Sequence, residues 1–586
     1  MPVNKSVEEM LSGIPGVSLV EPLRGFNERG VNPEIFMTFR LVASYEEQEW
    51  KLLVSIPKHF PVSLPRIHIE NAQDYPAMGH INWHGSICYK DHQGLVADIR
   101  NPEKVLIGCL METLRTLHQH YNDISRHDLW MDYEHYWESL PAEFHVTMCL
   151  IEQTDNSKEL VGYLDHKRER KTKRPTFLAI HDQESKANAM YWPLAMIQKR
   201  KKSKVLYIPL IKPAIPPSPM STWTCQDIAE IVNTHASPEV TKNVKLWSEK
   251  QKWSNITGII FSHPKPSGEK ALWGIQFSRN EKTQHPLTTP EKTWKISPIH
   301  LQNHSQNYLI RRGGAEAALA NKKVAVIGCG SVGGNIAINL AKSGIGELHL
   351  YDFDWFLPEN MYRHALGGLH IEPVFPRFKA ERLSAEIMMN HPFAKATPHF
   401  QEKLLDVAPS KNENTTYDAI VVTTGDFTQE LTYNMIHHKC KKSVPVIYAW
   451  QEGFGIGGHC MRVGNPDTPG CIECLYTRSA GFKPHPKTSF IKQGQTISQH
   501  IGGCGGVMTP YSYLDASQTA ILATRSTISA LKGDCSNELR SWKGSAVELE
   551  SNGYAVSPWY TKLAQGENHD SRNYIAQNCK ACGAND

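Results

Sequence analysis

Cysteines in three sequence settings could act as nucleophiles or metal ligands. Cys88 ends a polar, glycine-bearing segment, GHINWHGSIC, and Cys504 stands between glycines in IGGCGGV. A cysteine thiolate is a strong nucleophile, and a thioester keeps enough reactivity for an amine to attack it. Four further cysteines form two C-x-x-C pairs, a spacing typical of zinc ligands: Cys471 with Cys474, and Cys579 with Cys582.

The two C-x-x-C pairs predict a structural zinc site. One pair alone is ambiguous between a metal site and a redox site. Here Pro469 and Gly470 precede the first pair and Gly583 follows the second, a turn-rich setting that favours metal. Four thiolates form the tetrahedral set that zinc prefers and leave no open ligand position. We therefore expect the metal to join the C-terminal segment to the domain before it.

The remaining cysteines differ in how reachable they are predicted to be. Glycines on both sides give Cys504 a mobile backbone and no side-chain cover, and a helical stretch at 517–531 follows it. Cys535, in GDCS, is the competing exposed candidate. Cys109 lies on an apolar helical stripe and Cys329 lies inside a glycine loop, so both are predicted to pack in the interior.

A nucleotide site is predicted around residues 323–352. The buried-strand pattern Lys323–Ile327 runs into a glycine loop and an apolar helix at 335–343, with Gly344 as its stop, and a second strand, Glu347–Tyr351, follows. This arrangement is typical of mononucleotide binding but does not distinguish a nicotinamide cofactor from ATP. The loop glycines and the acid that ends the second strand are Gly328, Gly330, Gly333 and Asp352.

Polar residues after the second strand favour ATP over a nicotinamide. A hydride-transfer enzyme needs an apolar slot at this edge of the sheet, whereas amide, cationic and acidic side chains suit a triphosphate with Mg²⁺. A further strand, 419–422, is followed by Asp426, which therefore lies at the same carboxyl edge of the sheet. In chain order these residues are Asp354, Asn360, Arg363, Lys379 and Asp426.

The elements that must position Cys88 are two strands and a helix. Residues 50–57 and 66–70 have strand patterns, and Pro61 and Pro65 lie in the extended link between them. Asn101 is a good N-cap for the helix that follows, with Pro102 at its first position. An α+β region with Cys88 in the loop before a helix is predicted.

Length and composition predict several domains in a reducing compartment. The 586 residues exceed one core, and 63 basic against 59 acidic residues leave a net charge of only +4, which gives no case for direct nucleic-acid binding. No apolar run approaches membrane-spanning length and the N-terminus lacks a signal-peptide pattern, so we expect no membrane association and a cytoplasmic location, with thirteen reduced cysteines. The predicted domains are residues 1–148, 149–300 (irregular, a linker or docking domain) and 301–586.

The first region resembles ubiquitin-conjugating enzymes over roughly residues 15–140. Their pattern of a proline-bounded link, a His-Pro-Asn motif and a Gly-x-Ile-Cys segment corresponds here to His80, Asn82 and residues 85–88. The resemblance implies that Cys88 accepts a thioester, that Asn82 stands near the acyl oxygen, and that His80 holds the loop. Ile81 replaces the motif's proline, and the spacing from His80 to Cys88 is shorter than in the family.

The last region resembles the ThiF/MoeB-type adenylation domain of ubiquitin-activating enzymes and their bacterial relatives in thiamine and molybdopterin synthesis. The resemblance implies that Asp352 holds ribose, that Asn360, Arg363 and Lys379 hold phosphates, and that Asp426 binds Mg²⁺ with Asp354. It also implies an upstream catalytic arginine, for which Arg311 and Arg312 are the candidates. We prefer Arg312, although the residues alone leave the choice open. The same resemblance implies the zinc set, Cys504 as the acyl acceptor, and a homodimer through this domain.

The two resemblances on one chain are those of bacterial conjugation enzymes in CBASS anti-phage operons. They imply α/β and α+β domains, with an N-terminal ubiquitin-conjugating-like α+β domain and a C-terminal Rossmann-like, doubly wound adenylation domain with a zinc knuckle. The implied reaction adenylates the C-terminus of a cGAS-like nucleotidyltransferase and passes it through Cys504 and Cys88 to an acceptor lysine, using ATP, Mg²⁺ and Zn²⁺. One alternative is a sulfur-carrier-protein adenylating enzyme with a non-catalytic N-terminal binding module. The other is a non-catalytic scaffold.

Overall fold

The computed structural model divides the chain into two compact units: unit 1 lies within residues 1–305 and unit 2 within residues 306–586. Among the residues it describes, no helix combines the length and apolar character needed to cross a bilayer. The described residues are 6–23, 35–90, 95–123, 126–141, 146–165, 177–182, 200–217, 223–251, 254–288, 294–372, 374–409, 417–440, 443–476, 486–500, 507–569 and 573–583.

The first sheet of unit 1 is an antiparallel meander in the order β1-β2-β3-β4, with a long helix packed on it. Asn101 is the N-cap of that helix and Pro102 occupies its first turn, as predicted, although the Asn101 side chain bonds to Asp98 instead of capping the backbone. The elements are α1 (Val7–Ser12), β1 (Val17–Leu23), β2 (Ile35–Tyr45), β3 (Gln48–Pro57), β4 (Arg66–Ile69), α2 (Pro102–Tyr121), α3 (His127–Met131) and α4 (Tyr133–Ser139).

The second sheet of unit 1 has eight strands in the order β11-β10-β9-β8-β6-β7-β5-β12. Residues 149–300 were expected to be irregular, and this expectation is wrong. Strands were not recognised because apolar side chains such as Ile259, Ile260 and Phe261 are buried in succession, which removes the usual alternation of apolar and polar residues. The elements are β5 (Thr147–Leu150), β6 (Lys158–Leu164), β7 (Phe177–Asp182), β8 (Lys202–Pro209), α5 (Cys225–His235), α6 (Pro238–Lys250), β9 (Ser254–Pro264), β10 (Lys270–Thr283), β11 (Lys295–Ile299) and β12 (Leu301–Asn303).

Unit 2 is built on an eight-stranded sheet in the order β15-β14-β13-β16-β17-β18-β21-β22. The strands from β15 to β17 are parallel and the rest antiparallel, so the predicted Rossmann-like fold is confirmed. The elements are α7 (Gln306–Arg312), β13 (Lys323–Ile327), α8 (Ser331–Lys342), β14 (Glu347–Tyr351), α9 (Lys379–Asn390), β15 (Lys395–His399), β16 (Ala419–Val422), α10 (Phe427–His438), β17 (Val446–Gln451), β18 (Gly457–Val463), β19 (Gln499–His500), β20 (Val507–Met508), α11 (Tyr513–Leu531), β21 (Glu538–Lys543), α12 (Val547–Ser551), α13 (Pro558–Lys562) and β22 (Gly566–His569).

The helix after the glycine loop begins earlier than predicted. It starts at Ser331 instead of at residue 335, so Gly333 and Gly334 lie in its first turns. A Cβ at Gly333 would lie 1.8 Å from the carbonyl oxygen of Gly328, so only glycine permits this close approach. Gly344, with φ +97°, follows the end of the helix as predicted. The helix N-terminus is therefore formed within the loop itself.

Candidate active site and metal centre

Cys88 lies exposed at the end of a short hairpin in unit 1. Its backbone N–H donates to the carbonyl oxygen of His80 at 2.8 Å, and Ile81 forms a bridge with Ile87 on the opposite side. The predicted interior residue Cys109 is buried on α2, where burial raises the pKa of its thiol. Of these two cysteines, only Cys88 is exposed to solvent.

Asn82 organises the turn that leads to Cys88. Its side-chain Oδ1 accepts hydrogen bonds from the backbone N–H groups of His84 at 3.0 Å and Ser86 at 2.9 Å. The Asn82 N–H also donates to the Ser86 carbonyl at 3.0 Å, and Gly85 turns the chain with φ +81°. The side-chain oxygen of Asn82 therefore holds the turn together. The side-chain nitrogen, Nδ2, is the atom that could donate a hydrogen bond to an acyl oxygen.

The glycine loop of unit 2 is tied to the carboxylate of Asp352. Oδ2 of Asp352 accepts the N–H of Cys329 at 2.7 Å, and Oδ1 accepts the N–H of Asp354 at 2.8 Å. Burial raises the pKa of Asp352 above its ordinary value. Cys329 is fully buried, as predicted, and its thiol pKa is raised for the same reason. Asp352 therefore stands beside the loop, at the position predicted to hold ribose.

A cavity of about 340 Å³ opens at the N-terminus of α8. It brings together Gly330, Asn360, Arg363 and Lys379, four of the predicted nucleotide-binding residues. The Arg363 guanidinium stands 5.8 Å from the ring centre of Tyr511. A helix N-terminus, an arginine and a lysine around one cavity form a site that favours a polyanion.

Seven of the candidates do not line this cavity in the described part of unit 2: Gly328, Gly333, Asp352, Asp354, Asp426, Arg311 and Arg312. Asp354 forms an ion pair with Lys379, Oδ2 to Nζ at 2.8 Å, and therefore orients Lys379, which does line the cavity. Asp426 caps α10 by accepting the N–H groups of Thr428 and Gln429, which lowers the pKa of its carboxyl. Arg311 and Arg312 are exposed at the end of α7. Gly328 and Gly333 approach each other closely where the loop enters the helix.

Several residues that line the cavity were not predicted, some next to predicted residues and others, such as Tyr511, from distant segments. The Tyr511 hydroxyl hydrogen-bonds with that of Ser331 at 2.7 Å, and the Nε2 of His364 lies 2.6 Å from the carbonyl oxygen of Cys329. Gln451 ends β17 and also lines the cavity. Beside the lining residue Thr424, which donates to its Oε1 at 2.8 Å, Glu430 is buried, and burial raises its pKa to about 7. The position of Gln451 at the end of a buried strand, at the carboxyl edge of the sheet, is the one signal that could have predicted any of these residues.

The four paired cysteines converge in unit 2. All four are buried and their sulfur atoms lie within 4.8 Å of one another. Sγ atoms are 3.7 Å apart for Cys471 and Cys579 and 3.3 Å apart for Cys474 and Cys582. A tetrahedron with Zn–S bonds of about 2.3 Å has edges of about 3.8 Å, so the group fits a zinc knuckle. The Nδ2 of Asn434 donates to Cys471 Sγ at 3.3 Å, a partner typical of a bound thiolate.

The predicted second acyl acceptor cannot be placed in this arrangement. Cys504 lies outside the described residues, between Gln499–His500 and Val507–Met508, which pair as the short strands β19 and β20. The helix after it, α11, is longer than the predicted 517–531 and begins with a capping box from Ser512. The competitor Cys535 is exposed after the end of α11.

Comparison with known proteins finds two family matches at separate stretches of the chain. Residues 304–531 match the ThiF family, and residues 37–146 match Prokaryotic E2 family B. The chain is 23% identical over 491 residues to the "ATP-dependent ubiquitin transferase-like protein Cap2" of Pseudomonas aeruginosa, covering 82% of this chain and 84% of that protein. A protein of the same name from Escherichia coli is 26% identical over 227 residues, 38% of this chain and 36% of that protein. Among solved structures, E. coli MccB with succinimide has a TM-score of 0.30 and 16% identity, covering 45% of this chain and 68% of that one.

These matches confirm the two resemblances on one chain. An E2-like region and a ThiF-type adenylation region are joined, which is the combination predicted from the sequence. The protein is an ATP-using enzyme of the ubiquitin-activating and ubiquitin-conjugating kind.

Proposed function

We propose that this enzyme ligates the C-terminus of one protein to an amine of another through two successive thioesters. The observation that carries the proposal is the pair of sites on one chain: a cationic cavity at a glycine loop, and an exposed cysteine in an E2-like hairpin. ATP and the C-terminal carboxylate would form an acyl adenylate and pyrophosphate. The cavity's Arg363 and Lys379 would hold the phosphates, with Mg²⁺ held by Asp426 and Asp354 after the latter exchanges its lysine partner.

The acyl group would then move from oxygen to sulfur twice. The thiolate of Cys504 attacks the carbonyl of the adenylate, a thioester forms and AMP leaves. The thiolate of Cys88 attacks that thioester, and Cys504 departs as a thiolate. A lysine amine of the acceptor finally attacks the Cys88 thioester, giving an amide and releasing the thiolate, while Asn82 Nδ2 donates to the oxyanion.

The proposed setting is a cytoplasmic homodimer that acts in anti-phage defence. The substrate would be the C-terminus of a cGAS-like nucleotidyltransferase, an assignment supported by the CBASS resemblance and by the Cap2 relatives. Arg311 and Arg312 are exposed at the end of α7 and, among the described residues, do not line the cavity of their own chain. This favours donation of one of them, Arg312 in the proposal, to the cavity of a partner subunit.

The test is a gel under non-reducing conditions, with ATP and the candidate substrate. We expect Cys504→Ala to abolish every thiol-labile adduct, and Cys88→Ala to leave one adduct on the activating half. The buried Cys109→Ala serves as the matched control and should charge like wild type. If Cys88 is still charged in the Cys504→Ala variant but is no longer charged when Cys535 is also replaced, then Cys535 is the first acceptor instead of Cys504. A protein that exchanges pyrophosphate but never charges Cys88 would instead be the sulfur-carrier adenylating enzyme.

A further inference from the structure

Two histidines and an aspartate meet behind the Cys88 hairpin, in a place that the proposed relay does not use. His80 comes from the hairpin, His120 from the last turn of α2, and Asp128 from α3. One potential ligand atom of each lies within 4.8 Å of the others. Asp128 Oδ2 is 3.6 Å from His120 Nε2 and 4.0 Å from His80 Nε2. The three side chains thus converge from three separate segments.

The backbone is shaped to permit this convergence. A Cβ at Gly79 would lie 2.9 Å from both the Asp128 Cβ and the Leu129 nitrogen, so any larger residue would push the hairpin away from α3. His80 itself has φ +58°, in the left-handed region that a non-glycine residue occupies at a cost of about 1 kcal/mol or more. Backbone strain of this kind persists where surrounding contacts hold the side chain in place.

The hydrogen bond of His80 fixes which of its nitrogens faces the cluster. Nδ1 lies 3.0 Å from Asp132 Oδ2, so Nδ1 carries the proton that it donates to that carboxylate. In the neutral ring Nε2 then presents a lone pair toward Asp128 and His120. At 3.6 Å the contact between His120 and Asp128 is too long for a hydrogen bond. Electron-rich atoms that converge in this way form an arrangement that a bound cation would stabilise.

We propose that His80, His120 and Asp128 bind a divalent transition-metal ion of the zinc class. Two imidazoles and one carboxylate, with a fourth position left for water, are a common zinc ligand set. Asp132 supplies the outer carboxylate that typically orients a ligating histidine. A cavity of about 580 Å³, lined by His120, Gly79, Trp130 and their neighbours, adjoins the cluster and admits that water.

A metal here would act on the segment that carries the thioester cysteine. The carbonyl oxygen of His80 accepts the N–H of Cys88 at 2.8 Å, so an ion that fixes His80 also fixes the strand opposite Cys88. Metal occupancy would therefore hold the hairpin closed and protect the Cys88 amide from hydrogen exchange. The metal site stands independently of the proposed ligation, because its occupancy is measured without substrate or ATP.

Zinc counting on the full-length protein tests the site. After equilibration in buffer with micromolar free zinc, wild type should hold one zinc ion per chain more than His120→Ala or Asp128→Asn, measured by inductively coupled plasma mass spectrometry. His118→Ala is the matched control, because His118 lies on the same helix as His120, contacts Asn122 and Tyr45, and is not a member of the cluster. It should keep the wild-type zinc content.

Cobalt distinguishes this site from the four-cysteine group. Co²⁺ bound by histidine and carboxylate gives visible d–d bands without the near-ultraviolet thiolate charge-transfer bands. The four-cysteine group contributes its own visible d–d bands, so we expect Asp128→Asn, which preserves shape, to lose only the added visible absorption of the histidine site and to keep the thiolate charge-transfer bands unchanged. Equal zinc content in wild type, His120→Ala and Asp128→Asn would overturn the proposal, and so would identical cobalt spectra for wild type and Asp128→Asn. In that case a proton shared among His80, Asp128 and Asp132 holds the cluster.

Discussion

Replacing Lys379 by methionine should separate ATP chemistry from folding. Lys379 begins α9 and lines the cavity, and its side chain is 13% exposed while its partner Asp354 is 57% exposed. Methionine keeps the unbranched stem of the lysine and removes only the charge. The change therefore deletes one cation from the proposed phosphate site and one half of a partly exposed ion pair, with little loss of packing.

The two losses differ in size. A partly exposed ion pair contributes about 1 kcal/mol or less, so the folded state should survive with a Tm lowered by only a few degrees. A positioned cation facing a charge that develops in a transition state contributes about 3–4 kcal/mol in comparable sites, which corresponds to a rate loss of about 100- to 1,000-fold. Lys379→Met should thus be close to wild type in stability and nearly inactive.

The assay is substrate-dependent exchange of labelled pyrophosphate into ATP, with Tm recorded on the same preparations. Lys395→Met is the matched control, because Lys395 also forms an ion pair, with Glu347 at 3.1 Å, but lies at the start of β15 and is 67% exposed. The control should exchange pyrophosphate at the wild-type rate. An exchange rate for Lys379→Met within threefold of wild type, with saturating ATP, would refute the assignment of Lys379 to the phosphates.

Three further changes probe the rest of unit 2. Gly333→Ala should destabilise the protein by about 1–3 kcal/mol and abolish ATP binding, since its Cβ meets the Gly328 oxygen at 1.8 Å; unchanged calorimetric titration with ATP would contradict this. Burial raises the pKa of Glu430 from 4.5 to about 7, so its charge destabilises the fold increasingly as pH rises between these values. Glu430→Gln should accordingly stabilise the protein by up to about 3 kcal/mol at pH 8 but little at pH 4.5. Equal Tm shifts at both pH values would contradict the raised pKa of Glu430. Cys474→Ser should lose one zinc ion and unfold at lower temperature, whereas the half-buried Cys440→Ser should do neither.

The sequence was most informative where one short segment carries a whole local structure. The strands 323–327, 347–351 and 419–422 lie in the structure where they were predicted. The first and last are nearly continuous apolar runs, as parallel strands buried on both faces are, whereas 347–351 alternates apolar and polar residues. The C-x-x-C spacing identified four sulfurs that do converge, since zinc ligands in such pairs are fixed by local turns. These features need no knowledge of the rest of the chain.

Sites assembled from distant segments could not be predicted in this way. Tyr511 reaches the cavity from a point 180 residues beyond Ser331, and no local pattern links the two. His120 lies on α2, where its spacing alone suggests only an interior position, and its meeting with Asp128 depends on how α3 folds back. Asp426 is predicted as a magnesium ligand, and the structure shows that it is also a helix N-cap. An aspartate before a helix can serve either role, so the magnesium assignment stays a prediction.

The central claim is that energy from ATP places an acyl group on Cys88. Wild-type protein is mixed with ATP, Mg²⁺ and the candidate substrate, quenched in acid, digested and mapped by mass spectrometry. The account predicts that the peptide containing Cys88 carries the substrate's C-terminal residues, that dithiothreitol removes them, and that omission of ATP prevents their appearance. A Cys88 peptide of unmodified mass under conditions in which the same sample has produced AMP would contradict it.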